Sequence, residues 1–174
     1  EQHCSGTGRI TVGDEVIEIS GFGLRDKSWG PRHWQAIDWY RWCPLNFGPD
    51  FGMMFTVIGD GKGGARPGGM VFKDGAYDLI TSCNVSSEWD EHGYQTALSA
   101  KIQTESGRSY DVEGKVLSLI PLRNRRVAPD GTELQTRITE GMTEFRCEGR
   151  IGYGMSEYLD QIVDGQPNGK SAGF

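Results

Sequence analysis

Histidine is scarce in this chain: His3, His33 and His92 are the only three among 174 residues. With so few imidazoles and no HExxH pair, a histidine-built metal centre is not expected. The four cysteines, Cys4, Cys43, Cys83 and Cys147, stand far apart with no CxxC pair among them. That spacing suits no zinc ribbon, and a chain of this length has core enough to do without disulfide staples. Reduced, mostly buried thiols and a cytoplasmic location are expected. No GxxxxGK loop occurs, which removes a common phosphate-binding signature. Positive charge is in deficit, the net charge being −6, and this argues against a nucleic-acid partner. No apolar run approaches the ~20 residues of a membrane-spanning helix, and no basic–apolar–small leader opens the chain, so no integral membrane segment is expected. The first residue is Glu1 rather than Met, so further sequence is expected upstream.

Helical stripes with caps are missing as well. Glycine, by contrast, is abundant: there are 26, roughly twice ordinary usage, scattered without a collagen period. Turn signals recur at Gly13-Asp14, Gly59 to Gly64, Asp74-Gly75, Glu91-His92-Gly93, Ser106-Gly107 and Pro129-Asp130-Gly131. Between them lie segments of period-2 alternation. Tyr94, Thr96, Leu98, Ala100 and Ile102 share one face of such a segment, while Met53, Phe55 and Val57 alternate with Met54, Thr56 and Ile58 as in a strand covered on both sides. Strands are placed near 7–12, 15–22, 34–43, 51–58, 67–73, 76–83, 94–104, 108–120, 133–147 and 150–163. This pattern predicts an all-β fold, an antiparallel meander closed as a barrel or folded as a strongly curved sandwich. Residues 1–163 are expected to form one β-barrel domain, and 164–174 a flexible tail.

The most distinctive stretch is Gly21 to Trp34, GFGLRDKSWGPRHW. It sets Arg25, Asp26, Lys27, Arg32 and His33 among Trp29 and Trp34, and Trp39 and Trp42 follow closely. Charges between large rings lie in a drier setting than a surface loop provides, where ion pairs strengthen and pKa values move. Asp26 is expected to pair with Arg25 or Arg32, and Trp29 to be buried beside them. Alternation also puts carboxylates on apolar faces: Glu157 with Tyr153, Met155 and Leu159; Glu140 with Leu134, Ile138 and Met142; Asp38 with Trp34, Tyr40 and Trp42. A buried carboxylate must be paired, hydrogen-bonded or protonated, and a partly neutral one can act as a general acid. The plainer alternative is that these faces are open to solvent.

The segment Gly21–Trp34, together with Gly152-Tyr153-Gly154-Met155-Ser156-Glu157-Tyr158, resembles the C-terminal half of the lipocalin-like proteins related to carotenoid hydratase (hydroxyneurosporene synthase). Arg25, Asp26, Ser28, Trp29, Gly30, Pro31 and Arg32 match that family's Arg-Asp-His-Ser-Trp-Gly-Pro-Arg motif, with Lys27 in place of His. The resemblance implies two consecutive β-barrels, of which this chain is one, and an apolar substrate of the isoprenoid, steroid or polyketide type. It implies addition of water to an alkene, or isomerisation, with no metal or organic cofactor. Catalytic roles then fall to Asp26, Lys27, Arg32 and Glu157, and ligand contacts to Trp29, Trp34, Trp39, Tyr158 and Glu140. A missing N-terminal barrel or a second copy of the chain would complete the pocket. A non-catalytic carrier of a hydrophobic ligand and a structural half-domain are the alternatives. They are separated by whether Asp26 and Glu157 face one enclosed cavity.

Overall fold

The computed structural model describes residues 1–31 and 33–171. Eight strands form the barrel: β3 (Trp39–Asn46), β4 (Phe51–Gly59), β5 (Ala65–Lys73), β6 (Ala76–Trp89), β7 (Gln95–Thr104), β8 (Ser109–Val127), β9 (Glu133–Cys147) and β10 (Arg150–Val163). Each pairs antiparallel with the next in chain order, and β10 closes the sheet onto β3. Short glycine turns dictate this order, because a two-residue hairpin leaves the next strand no place but beside the last. The all-β meander and its closure into a barrel are as expected from the turn spacing.

β1 (Gln2–Val12) and β2 (Glu15–Arg25) do not join the barrel; they form a separate two-stranded ribbon turning at Gly13-Asp14. Of the ten strands expected, eight form the barrel and the first two form the ribbon. The predicted strand 34–43 begins five residues later, at Trp39, and β8 runs on to Val127. The ribbon meets the barrel where β4, β5 and β6 lie side by side. His3 stacks on Phe72 and Tyr77, and a Cβ on Gly52 would lie 2.5 Å from its ring, so glycine there lets the imidazole reach the β4 backbone.

Odd-numbered residues of β3 and β4 point into the lumen, which is filled. Phe51, Met53, Phe55, Phe145 and Tyr158 are almost wholly buried there. At one end Arg41 grips Asp160 through two hydrogen bonds of 3.0 and 3.1 Å, and its guanidinium lies 4.3 Å from the centre of the Tyr158 ring. Cys43, Cys83 and Cys147 are buried free thiols and Cys4 an exposed one. Burial pushes Cys83 up to about 12 and Cys147 to about 11, which keeps both protonated and inert.

Two local expectations are corrected. On β7 the alternation slips: Glu88 pairs with Ala97 but Trp89 with Gln95, leaving Thr96 as an extra, exposed residue, so Gln95 turns inward. The segment after 163 is no free tail. Gln166 and Pro167 pair with β10, and the Gly169 N–H donates to Asp160 Oδ1 at 2.9 Å. A buried carboxylate needs donors, and this segment brings one; residues 172–174 lie outside the described residues.

Candidate functional site

The face carrying the carboxylates is the outside of the barrel. Register places Ile120 of β8, Glu140 of β9, Glu157 of β10, Trp42 of β3 and Thr56 of β4 side by side in one row across five strands. The neighbouring outward row holds Leu122, Ile138, Leu159, Tyr40 and Ile58. The faces read from alternation thus hold on β3, β9 and β10, and no bulge at Gly141 or Gly152 reverses them.

Over part of this face runs the connection from β2 to β3. It is strapped down through its backbone: Gln161 Nε2 donates to the carbonyls of Trp34 at 2.7 Å and Ile37 at 2.8 Å, and the Thr136 hydroxyl donates to the Trp34 carbonyl. Between this connection and the barrel wall lies a groove of about 380 Å³, within the range of small-molecule sites. Its floor is Tyr40, Trp42, Met54, Thr56, Ile58 and Glu157, and its walls are Glu1, Asp26, Ser28 and Ile37. The floor is apolar apart from one acid, the Trp42 N–H and two hydroxyls.

Glu157 is half-buried, and the Tyr40 hydroxyl donates to its Oε1. Burial raises its carboxyl above the ordinary range, Glu140 and Asp26 add to that, and the Tyr40 hydrogen bond opposes it. Glu140 is its direct cross-strand partner, and like charges so placed repel. Glu157 is therefore pushed by its surroundings toward the protonated form. Trp42 presents its ring to the groove and donates through Nε1 to Glu1 Oε1 at 3.1 Å.

Asp26 and Glu157 thus face one groove, open along the outer wall rather than enclosed as expected, and Glu140 lies next to it. The other expected residues disperse. Trp39 and Tyr158 point into the filled lumen, where the Tyr158 hydroxyl shares a hydrogen bond with Ser87 at 2.8 Å. Both are at even spacing from lumen residues, so they cannot share the groove face. Trp29 is 85% exposed, not buried, the Lys27 ammonium lies 5.6 Å from the centre of its ring, and neither residue lines the groove. Trp34 contributes its carbonyl to the strap rather than its ring to the groove floor. The expected bracket between Asp26 and Arg25 does not form, and Arg32 lies outside the described residues. Tyr40, Trp42, Met54 and Ile58 were not picked out as site residues. Their signal was present: they occupy the second apolar face of strands that alternate apolar residues on both sides.

The fold and the groove define a closed eight-stranded antiparallel β-barrel whose candidate ligand site is on its outer wall. The chain belongs to the family described as "Domain of unknown function (DUF7064)", whose model matches residues 1–162. No curated protein matches the chain, and no solved structure does. Among the described residues no cluster of three or more His, Cys, Asp or Glu side chains is placed to hold a metal ion, and no helix is long and apolar enough to cross a membrane.

Proposed function

We propose that the chain binds an apolar small molecule in the outer groove and that Glu157 serves there as a proton donor. One observation carries the reading: Glu157 and Asp26, more than a hundred residues apart in sequence, line the same apolar groove. An isoprenoid, steroid or polyketide skeleton suits a floor of Trp42, Met54 and Ile58, and its alkene or hydroxyl would lie against the carboxyl. In a hydration, the Glu157 carboxylic acid gives its proton to an alkene carbon. The resulting cation rests against the faces of Trp42 and Tyr40. Water adds to it and passes a proton to the Asp26 carboxylate on the facing wall. Without the water step, the same acid and base would move a double bond. The relationship to the carotenoid hydratase proteins rests on the Arg-Asp-x-Ser-Trp-Gly-Pro-Arg stretch and is part of the proposal.

A carrier without chemistry is the second reading, favoured by the plain apolar floor. Trp42 emission, titrated with a panel of isoprenoids and steroids, reads binding, with Trp42→Phe as the control for the signal. An enzyme requires that Glu157→Gln keep the quenching and abolish hydration or isomerisation of the bound compound. A carrier is indicated where binding survives and no turnover is seen in either protein. Absence of any emission change across the panel removes both.

A further inference from the structure

Two apolar surfaces of the chain are left uncovered by its own fold. One is a face of the ribbon. Ile10 pairs with Ile17 and Gly8 with Ile19, so Val12, Ile10, Ile17 and Ile19 share a side, with Gly6 and Gly21 continuing it. All four of these side chains are exposed, Val12 to 63%. The other is the outer face of β8 and β9, where Ile120, Leu122 and Met142 stand together and Ile120 is 65% exposed. From Val116 onward β8 is also without a strand on its β7 side, since that pairing ends at Ala97 with Lys115. We propose that these surfaces cover one another between two copies of this chain, the β1–β2 ribbon of each copy lying across the outer face of β8 and β9 of the other.

A two-stranded hairpin is marginal in water unless something packs on it, and the barrel packs only on its root. Its contacts with its own barrel are at its base, Glu1 at Trp42 on β3 and His3 at Phe72 and Tyr77 on β5 and β6, and its apolar face stays exposed. The ends of the two surfaces carry opposite charge. Asp14 and Glu15 occupy the ribbon tip; at the far end of β8, beyond Asn124 and its hydrogen bond from Gln35, Arg126 shares the face of Ile120 and Leu122 while Arg125 stands beside it on the other side of the strand, all four exposed and none in an ion pair with a described residue. A twofold axis satisfies both contacts at once, which gives a closed dimer rather than a filament. The free ribbon spans about 30 Å by about 10 Å, so two reciprocal contacts bury roughly 1,000 Å² in total or more, the least that a stable interface needs. Glu140 is on the receiving face beside Glu157, so the partner's ribbon would also wall the open side of the groove. The association itself does not depend on what the groove binds.

Sedimentation equilibrium of the full chain at ~10 µM, about tenfold above a dissociation constant of ~1 µM, is expected to show a dimer. Ile17→Glu is expected to weaken association at least tenfold with the barrel's circular dichroism unchanged. Arg125→Glu with Arg126→Glu is expected to weaken it too, and adding Asp14→Arg and Glu15→Arg to that variant to restore it. These four positions are exposed, so the reversal and its rescue decide the matter even where Ile17→Glu fails to fold. A monomeric wild-type chain overturns the proposal, as does a dimer that survives the Arg reversal or that the compensating reversal does not restore.

Discussion

Glu157 and Asp160 stand three residues apart on β10 and face opposite ways, and their surroundings set them opposite tasks. Asp160 is buried, which raises its carboxyl, but Arg41 holds it through two hydrogen bonds and the Gly169 amide adds a third. Such a carboxylate stays charged because its removal from water is offset at every oxygen. Glu157 has one donor, Tyr40, and two carboxylates nearby that oppose its charge. Its folded pKa is raised above the ordinary 4.5, so between that raised value and 4.5 the folded chain binds more protons than the unfolded one. Stability attributable to this residue therefore rises as pH falls through the folded pKa, and the cost of charging it is fully present above. Thermal midpoints of the wild type and Glu157→Gln, measured from pH 8 to pH 4.5, are expected to converge as pH falls, with the variant the more stable at the upper end. Parallel curves would show that Glu157 is not perturbed by the fold.

At the scale of the element, the seam between β10 and β3 depends on glycine. A Cβ on Gly154 would sit 2.0 Å from the Pro44 carbonyl oxygen, and one on Gly152 would sit 2.2 Å from that of Asn46. No rotamer relieves a clash of Cβ with backbone, so Gly154→Ala must push the strands apart. A loss of about 3 kcal/mol, the upper end of ordinary overpacking, is expected in urea unfolding, whereas Gly6→Ala on the open ribbon, where a Cβ meets nothing within 4 Å, should cost far less. The Gly-Tyr-Gly run before Glu157 was legible in the sequence as a distinctive motif, and the structure gives it the task of letting the barrel close. Alternation likewise grouped Glu157 with Met155 and Leu159, and Tyr40 with Trp42, because period 2 follows from the pleat alone. Which of two faces is inside does not follow from the pleat when both are apolar, as on β3 and β4. Trp39, at the odd positions with Arg41, went into the lumen, while Trp42 went to the groove. The clustering of tryptophans at 29–42 suggested one pocket, yet the chain leaves the ribbon, crosses the barrel and enters β3 within that span, so neighbours in sequence end on different surfaces. The bulge at Thr96 was hidden for another reason: an extra residue in a strand changes register without changing composition.

At the scale of the whole molecule, the meander is local everywhere but at one place. Seven of the barrel's strand pairs join neighbours through short turns, whereas β3 meets β10 only after the rest of the barrel has been laid down, Arg41 reaching the Leu159 carbonyl across 118 residues of chain. The closed barrel thus has a time order built into it. The hairpins can assemble early, but the entropy of bringing the two ends together is met only at the last pairing. Refolding from urea followed by stopped-flow fluorescence should take milliseconds to seconds, as for other non-local β topologies. Gly154→Ala, acting at the seam, should then speed unfolding while leaving the refolding rate nearly unchanged. Until that last pairing forms, β3 and β10 are both open edges, and it is during this interval that the chain is most prone to pair with a neighbour instead of with itself.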